Sequence, residues 1–138
     1  MSSLQATPSL PLLILGGAVV GAFSWFAPSV VSGTFEPYDS GAGLLLNQII
    51  LSVPAIVLAW RHRITVPLLF LASAYPGLNA YAWAFGSSEA RAWAGLGALV
   101  SVLLFLAPMG FGLGAAALRR LRRGPSAIEV SNPQTKEE

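Results

Sequence analysis

The sequence contains no cysteine and only one histidine, His62. Without cysteine the chain can form no disulfide, no thiol redox centre and no zinc or iron–sulfur site ligated by thiolates. One histidine also excludes a metal site built from several imidazoles. Because these are the side chains that metals and redox cofactors use most, we predict that the protein holds no metal and no cofactor.

Charge is also scarce, at 10% of the 138 residues, against about a quarter in soluble domains. A single Lys, Arg or Asp at the centre of a bilayer costs about 2.5–3.5 kcal/mol on insertion scales. Four windows carry no charged residue, and each can hold the roughly 20 apolar residues that cross a hydrocarbon core. This pattern predicts an integral membrane protein rather than a soluble domain with a buried core. The windows are residues 1–35, 40–60, 64–88 and 92–118.

We therefore predict an all-α bundle of four transmembrane helices joined by short turns. The residues from 1 to 123 form this single domain, and residues 124–138 are polar, contain two prolines and are expected to be a disordered tail. The N-terminal segment has no charged start, and its apolar run continues to about Val31, so we interpret it as a retained span and not as a cleaved signal. The four spans are expected at about 10–31, 43–60, 65–85 and 92–118.

Arginines predict the orientation of the bundle, because basic residues concentrate in cytoplasmic loops. They follow the second and fourth spans, whereas the first turn has no basic residue. Both termini are therefore expected in the cytoplasm, and the turn around Glu36 faces outward from a bacterial inner membrane. A sequence pI of about 9.5 is also typical of proteins that bind nucleic acid. The positions of the arginines beside apolar segments are explained more simply by a role in setting the membrane topology. The predicted topology anchors are Arg61, Arg63, Arg119, Arg120, Arg122 and Arg123.

Polar side chains gather at the outward end of the predicted bundle. At a rise of about 1.5 Å per residue, Asn47 and Asn79 both lie roughly 6–9 Å below the outer surface. Two interpretations are open: these groups hydrogen-bond between helices and hold the bundle together, or they line a shallow outward-facing binding cleft. The candidate contacts for a partner or ligand are Glu36, Tyr38, Asp39, Asn47, Gln48, Tyr75 and Asn79.

Glycine and proline recur within the spans. Prolines at 54, 76 and 108 indicate either kinked helices that move, as in a transporter, or kinks that packing tolerates. Glycines spaced by four residues are typical of close helix packing, within one chain or between copies. The glycines predicted to pack helices are Gly17, Gly21, Gly110 and Gly114.

These observations predict a non-enzymatic interaction protein, because the chain lacks the clustered ionisable groups of membrane enzymes. Its partners would be the bilayer and another membrane protein or a second copy, and it would be an accessory subunit or an immunity protein. In size and hydropathy it resembles the immunity proteins that protect bacteria from pore-forming toxins. Small multidrug exporters also have four spans, but they need an acidic residue in the first span, which residues 1–35 lack. The alternative function is a small oligomeric transporter or channel subunit whose polar cluster forms an outward vestibule.

Overall fold

The computed structural model describes residues 8–122, and all of their regular structure is helical. A single 3-10 turn, Pro37–Asp39, lies between the first two long helices. The predicted tail and Arg123 lie outside the described residues. The helices are α1 (Leu10–Ser32), α2 (Gly41–Arg61), α3 (Thr65–Phe85), α4 (Ser88–Ala92), α5 (Ala94–Ser101) and α6 (Leu103–Arg122).

Three stretches of the described chain are long and apolar enough to cross a membrane: Leu10–Asp39, Gly41–Arg61 and Ala94–Arg122. The helix α3 has 21 residues, which is enough length, but Tyr75 and Asn79 lower its hydropathy. The structure is therefore an all-helical protein with three candidate membrane-spanning helices, consistent with a multi-pass membrane protein.

The predicted fourth span, 92–118, is divided into three helices instead of one. The second division falls at Val102, whose N–H bonds back to Leu99 and Val100 and not to Ala98 four residues earlier. The carbonyl of Ala98 instead accepts hydrogen bonds from the hydroxyl groups of Tyr75 and Ser101. Side chains thus replace a backbone hydrogen bond at the point where the helix is interrupted.

Local sequence explains how α1 ends and how α2 begins. Gly33 adopts a left-handed conformation with φ 72°, which glycine tolerates without steric cost, and its N–H bonds to the Ser29 carbonyl at 3.1 Å. The hydroxyl of Ser40 then accepts the N–H of Gly43 at 2.9 Å, which caps the start of α2. These two end signals confine the turn to residues 33–40.

Small residues bring α1 and α3 into backbone contact. A Cβ atom added to Gly21 would lie 1.9 Å from the carbonyl oxygen of Ala74, and one added to Gly77 would lie 2.0 Å from that of Ala18. Gly17 lies equally close to α3, beside Ser73 and the Phe70 carbonyl oxygen. Only glycine fits such sites, so these positions set the distance between the two helices.

The glycines near the end of α6 differ from those of α1. A Cβ atom built on Gly110 or on Gly114 meets nothing within 4 Å, whereas one on Gly112 would make an ordinary contact with Ala55. Among residues 8–122, Gly110 and Gly114 therefore take no part in close packing.

The helix α2 is central to the bundle, since it packs against α1, α3 and α6. Its residues Leu51 and Ala55 are fully buried, and Leu78 of α3 is equally enclosed. The outward faces of the long helices carry exposed Leu, Val, Ile and Phe side chains instead. A small enclosed core and an apolar exterior are what a helix bundle in lipid requires.

Candidate functional site

Asn47 binds a carbonyl that a proline has left without its helical donor. Pro28 has no N–H, so it cannot donate to the Ser24 carbonyl one turn earlier in α1. The side-chain amide of Asn47 on α2 donates to that oxygen at 2.7 Å. Asn47 and Ser24 are both completely buried. This bond satisfies a backbone group that would otherwise be unpaired in an apolar interior.

Gln48 makes the equivalent contact on the other side of α2. Pro108 in α6 leaves the Leu104 carbonyl without its helical donor, and the Gln48 amide donates to that oxygen at 3.0 Å. The same amide lies 3.2 Å from the side-chain oxygen of Asn47. Two adjacent amides on α2 therefore each satisfy a proline-freed carbonyl, one in α1 and one in α6.

Tyr75 and Asn79 connect α3 to α5 at the interruption of the fourth segment. The Tyr75 hydroxyl donates to the Ala98 carbonyl at 2.7 Å. The hydroxyl of Ser101 lies 3.1 Å from the side-chain oxygen of Asn79 and 2.8 Å from the Ala98 carbonyl oxygen. The Asn79 amide donates to the Tyr75 carbonyl at 2.9 Å. The four polar side chains predicted beneath the outward turn thus all form bonds to helix backbone.

The end of the bundle that carries the turn has an open cleft, which we call the loop-side cleft. It consists of two adjoining cavities that share Glu36, Tyr38, Ala90 and Gly97. The first, here the aromatic cavity, has a volume of about 240 Å³. It is lined by Trp25, Phe35, Glu36, Tyr38, Asn79, Ala82, Trp83, Ala90, Ala94, Gly97 and Ala98. The second, here the acidic hollow, has a volume of about 420 Å³ and adds Ser87, Glu89, Trp93, Leu96 and Val100.

Trp25 joins the walls of the aromatic cavity. Its ring centroid lies 6.0 Å from that of Phe35 and 6.1 Å from that of Tyr38, the latter in a perpendicular arrangement. Only 4% of Trp25 is exposed, and its indole N–H has no hydrogen-bond acceptor among the described residues. Three rings that pack on one another therefore line the aromatic cavity.

The charge in the loop-side cleft is negative. Glu36 is half-buried and lines both cavities, Glu89 lines the acidic hollow, and no basic side chain of the described chain lines either. Tyr38 lies in the turn beyond α1, where burial, and then the hydrogen bond and charge of Glu36, raise the pKa of its phenol. The phenol is therefore protonated at neutral pH and remains a hydrogen-bond donor. Asp39 is exposed and lines neither cavity.

The predicted contact residues thus occupy different places. Glu36, Tyr38 and Asn79 line the loop-side cleft, whereas Asn47 is enclosed between helices. Sequence reasoning did not include Trp25, Phe35 or the residues of α4 and α5 that complete the cleft. The only sequence signal for Trp25 is its position near the outward end of the first predicted span, where membrane proteins are enriched in tryptophan.

The arginines at the opposite end of the bundle contact the end of α2. Arg119 donates to the Trp60 carbonyl at 3.3 Å and also to the His62 carbonyl, and the Arg122 guanidinium carbon lies 5.4 Å from the centre of the Trp60 ring. Cations here satisfy the terminal carbonyls of α2 and favour the negative end of its dipole. The other described arginines predicted as topology anchors are exposed, namely Arg61, Arg63 and Arg120.

Within residues 8–122 no three His, Cys, Asp or Glu side chains come together as a group that could hold a metal ion. Comparison of the chain with known protein families, with curated proteins and with solved structures finds no match in any of the three. The geometry of the loop-side cleft and of the bundle beneath it is therefore the basis for a proposed function.

Proposed function

We propose that the chain spans a bacterial inner membrane four times, with α3 as the third span and both termini in the cytoplasm. The absence of charge from residues 64–88 supports a membrane location for α3, whose tyrosine and asparagine side chains are hydrogen-bonded to neighbouring helices. The contacts of Arg119 and Arg122 with Trp60 at the end of α2 support the placement of both arginine-rich segments on the same side of the membrane. By the positive-inside rule that side is cytoplasmic. The loop-side cleft then faces outward.

This topology predicts the behaviour of alkaline phosphatase fusions, which are active only outside the cytoplasm. Fusions after Asp39 and after Gly86 are expected to be active, and fusions after Arg63 and after Glu138 are expected to be silent. The readout is activity normalised to the amount of fusion protein. An active fusion after Glu138 contradicts the orientation, and equal activities after Arg63 and Gly86 contradict a spanning α3.

For the function itself we propose a non-enzymatic protein that binds a protein partner through the loop-side cleft and its exposed rim. The partner is a membrane complex or a membrane-acting toxin, so the chain is an accessory subunit or an immunity protein. The observation that carries this proposal is an open cleft at the end of the bundle that holds the turn. The cleft is lined by aromatic rings and by carboxylates, and no basic side chain of the described residues lines it. Exposed aromatic groups around a concave site are typical of binding surfaces.

The polar groups beneath the cleft favour a function in binding a protein partner over a function in transport. A transporter or channel subunit needs polar groups that are free to meet solute along a path through the membrane. Here the amides of Asn47 and Gln48 are engaged by backbone carbonyls of α1 and α6. The cleft therefore ends above them, and its lining is suited to holding a surface group of another molecule.

A photo-crosslinking amino acid at position 38 tests the proposal in the native host membrane. Tyr38 is exposed at the cleft, so we expect one discrete crosslink to a different protein, which also copurifies with the unmodified chain in mild detergent. The matched control is position 121, since Leu121 is highly exposed at the opposite end. Crosslinks only to further copies of the chain contradict the proposal. Solute flux in liposomes without any protein partner favours the transporter instead.

A further inference from the structure

We propose that the loop-side cleft binds a basic peptide segment of the partner, with one Lys or Arg side chain held between the aromatic rings and Glu36. This inference rests on the proposed function for the existence of a protein partner. It goes further by naming the chemistry that the partner must present.

The dimensions of the cleft favour a side chain as the occupant of the aromatic cavity. Pockets for drug-sized ligands measure about 300–1,000 Å³, and the aromatic cavity measures about 240 Å³. It continues into the acidic hollow of about 420 Å³ along α4 and α5. A chain segment with one inserted side chain fits this shape, because the segment can continue through the hollow.

The lining of the aromatic cavity is suited to a cation. Aromatic faces attract ammonium and guanidinium groups within about 6 Å of the ring centroid, and the attraction grows when water is excluded. Phe35, Tyr38 and Trp83 supply rings that are not fully buried, and Glu36 supplies a carboxylate that can accept charge-assisted hydrogen bonds. Since no described basic side chain lines the cleft, the positive charge must come from the ligand.

The shape of the cleft points to a peptide and not to a simple amine. The aromatic cavity adjoins the acidic hollow along Glu36, Tyr38, Ala90 and Gly97, so an occupant of the first can extend into the second. In the acidic hollow, Glu89 and Trp93 offer the same chemistry to a second basic residue.

The test is a titration of the purified full chain, in a neutral maltoside detergent, with a blocked Gly-Arg-Gly-Arg-Gly peptide. Three of the four tryptophans, at 25, 83 and 93, line the cleft, so intrinsic fluorescence reports occupancy. We expect a saturable change with this peptide and none with a matched peptide in which citrulline replaces arginine. The substitution Glu36→Gln is expected to weaken binding about tenfold, which corresponds to about 1.4 kcal/mol.

Asp39→Asn is the matched control, because Asp39 carries the same charge three residues away but lines neither cavity. Its affinity for the peptide should equal that of the unmodified chain. Equal losses in the two variants, or equal binding of the citrulline peptide, overturn the inference. The alternative outcome is that a phosphocholine detergent competes with the peptide, and does so only when Glu36 is present. That result assigns the cavity to a lipid headgroup and also overturns the inference. A partner crosslinked at position 38 without peptide binding refutes this inference alone, and peptide binding without any crosslinked partner refutes the proposed function.

Discussion

Gly21→Ala is expected to destabilise the bundle strongly, although it adds only one methyl group. The added Cβ atom would lie 1.9 Å from the Ala74 carbonyl oxygen, which is backbone and cannot rotate away. The helices α1 and α3 must therefore separate and lose much of their packing. Overpacked cores lose about 1–3 kcal/mol, and we expect a loss at the upper end of that range. The measurement is the free energy of unfolding in mixed micelles, by titration with dodecyl sulfate.

Gly114→Ala is the matched control, since it makes the same substitution in a helix where a Cβ atom meets nothing within 4 Å. It should leave the free energy of unfolding unchanged or raise it slightly, because alanine favours helix by up to about 1 kcal/mol over glycine. Equal losses at both positions would show that the close approach of α1 and α3 does not determine stability.

Asn47→Leu is expected to cost about 1–3 kcal/mol of folding free energy, the usual penalty for a buried polar group left unpaired. Leucine has nearly the shape of asparagine, so the packing volume is kept while the bond to the Ser24 carbonyl is lost. Because Pro28 cannot supply the missing donor, that carbonyl stays unsatisfied inside the bundle.

The free energy of unfolding in mixed micelles checks this prediction as well. The control is Ile49→Leu, a substitution two residues along α2 on its exposed apolar face, which should have no measurable effect. If Asn47→Leu unfolds with the same midpoint as Ile49→Leu, the buried amide does not support the fold.

Much of the helical architecture could be predicted from the sequence, because the charge-free windows coincide with helices. The predicted spans 10–31 and 65–85 compare with Leu10–Ser32 and Thr65–Phe85 in the structure. The division of the last segment could not be predicted. At Val102 it coincides with hydroxyl bonds to the Ala98 carbonyl from Ser101 and from Tyr75 of another helix. The contribution of Tyr75 cannot be predicted from residues 92–118 alone.

Of the candidate site, the turn residues and Asn79 could be predicted from the sequence. Glu36 and Tyr38 are visible as polar residues of an outward turn, and both line the loop-side cleft. The sequence alone leaves open whether Asn47 and Gln48 bind a ligand or join helices. The choice depends on which carbonyls lie within reach, and those belong to α1 and α6. In the sequence the prolines indicate only kinks, and no local pattern connects them with the amides.

The amides of α2 bind carbonyls that proline leaves without a helical donor, and we propose the loop-side cleft as the contact surface. A double-mutant cycle between Asn47→Leu and Pro28→Ala tests whether the Asn47 amide replaces the missing backbone N–H. Alanine at 28 restores a backbone N–H for the Ser24 carbonyl, so Asn47→Leu should cost less in that background. The predicted coupling is at least about 0.6 kcal/mol, the average for hydrogen bonds between membrane helices. Pro76→Ala restores an N–H for the Ala72 carbonyl, which Asn47 does not bind, so it should show no coupling. An Asn47→Leu cost that is identical with proline or alanine at 28 would show that the Asn47 amide does not compensate for the missing N–H of Pro28.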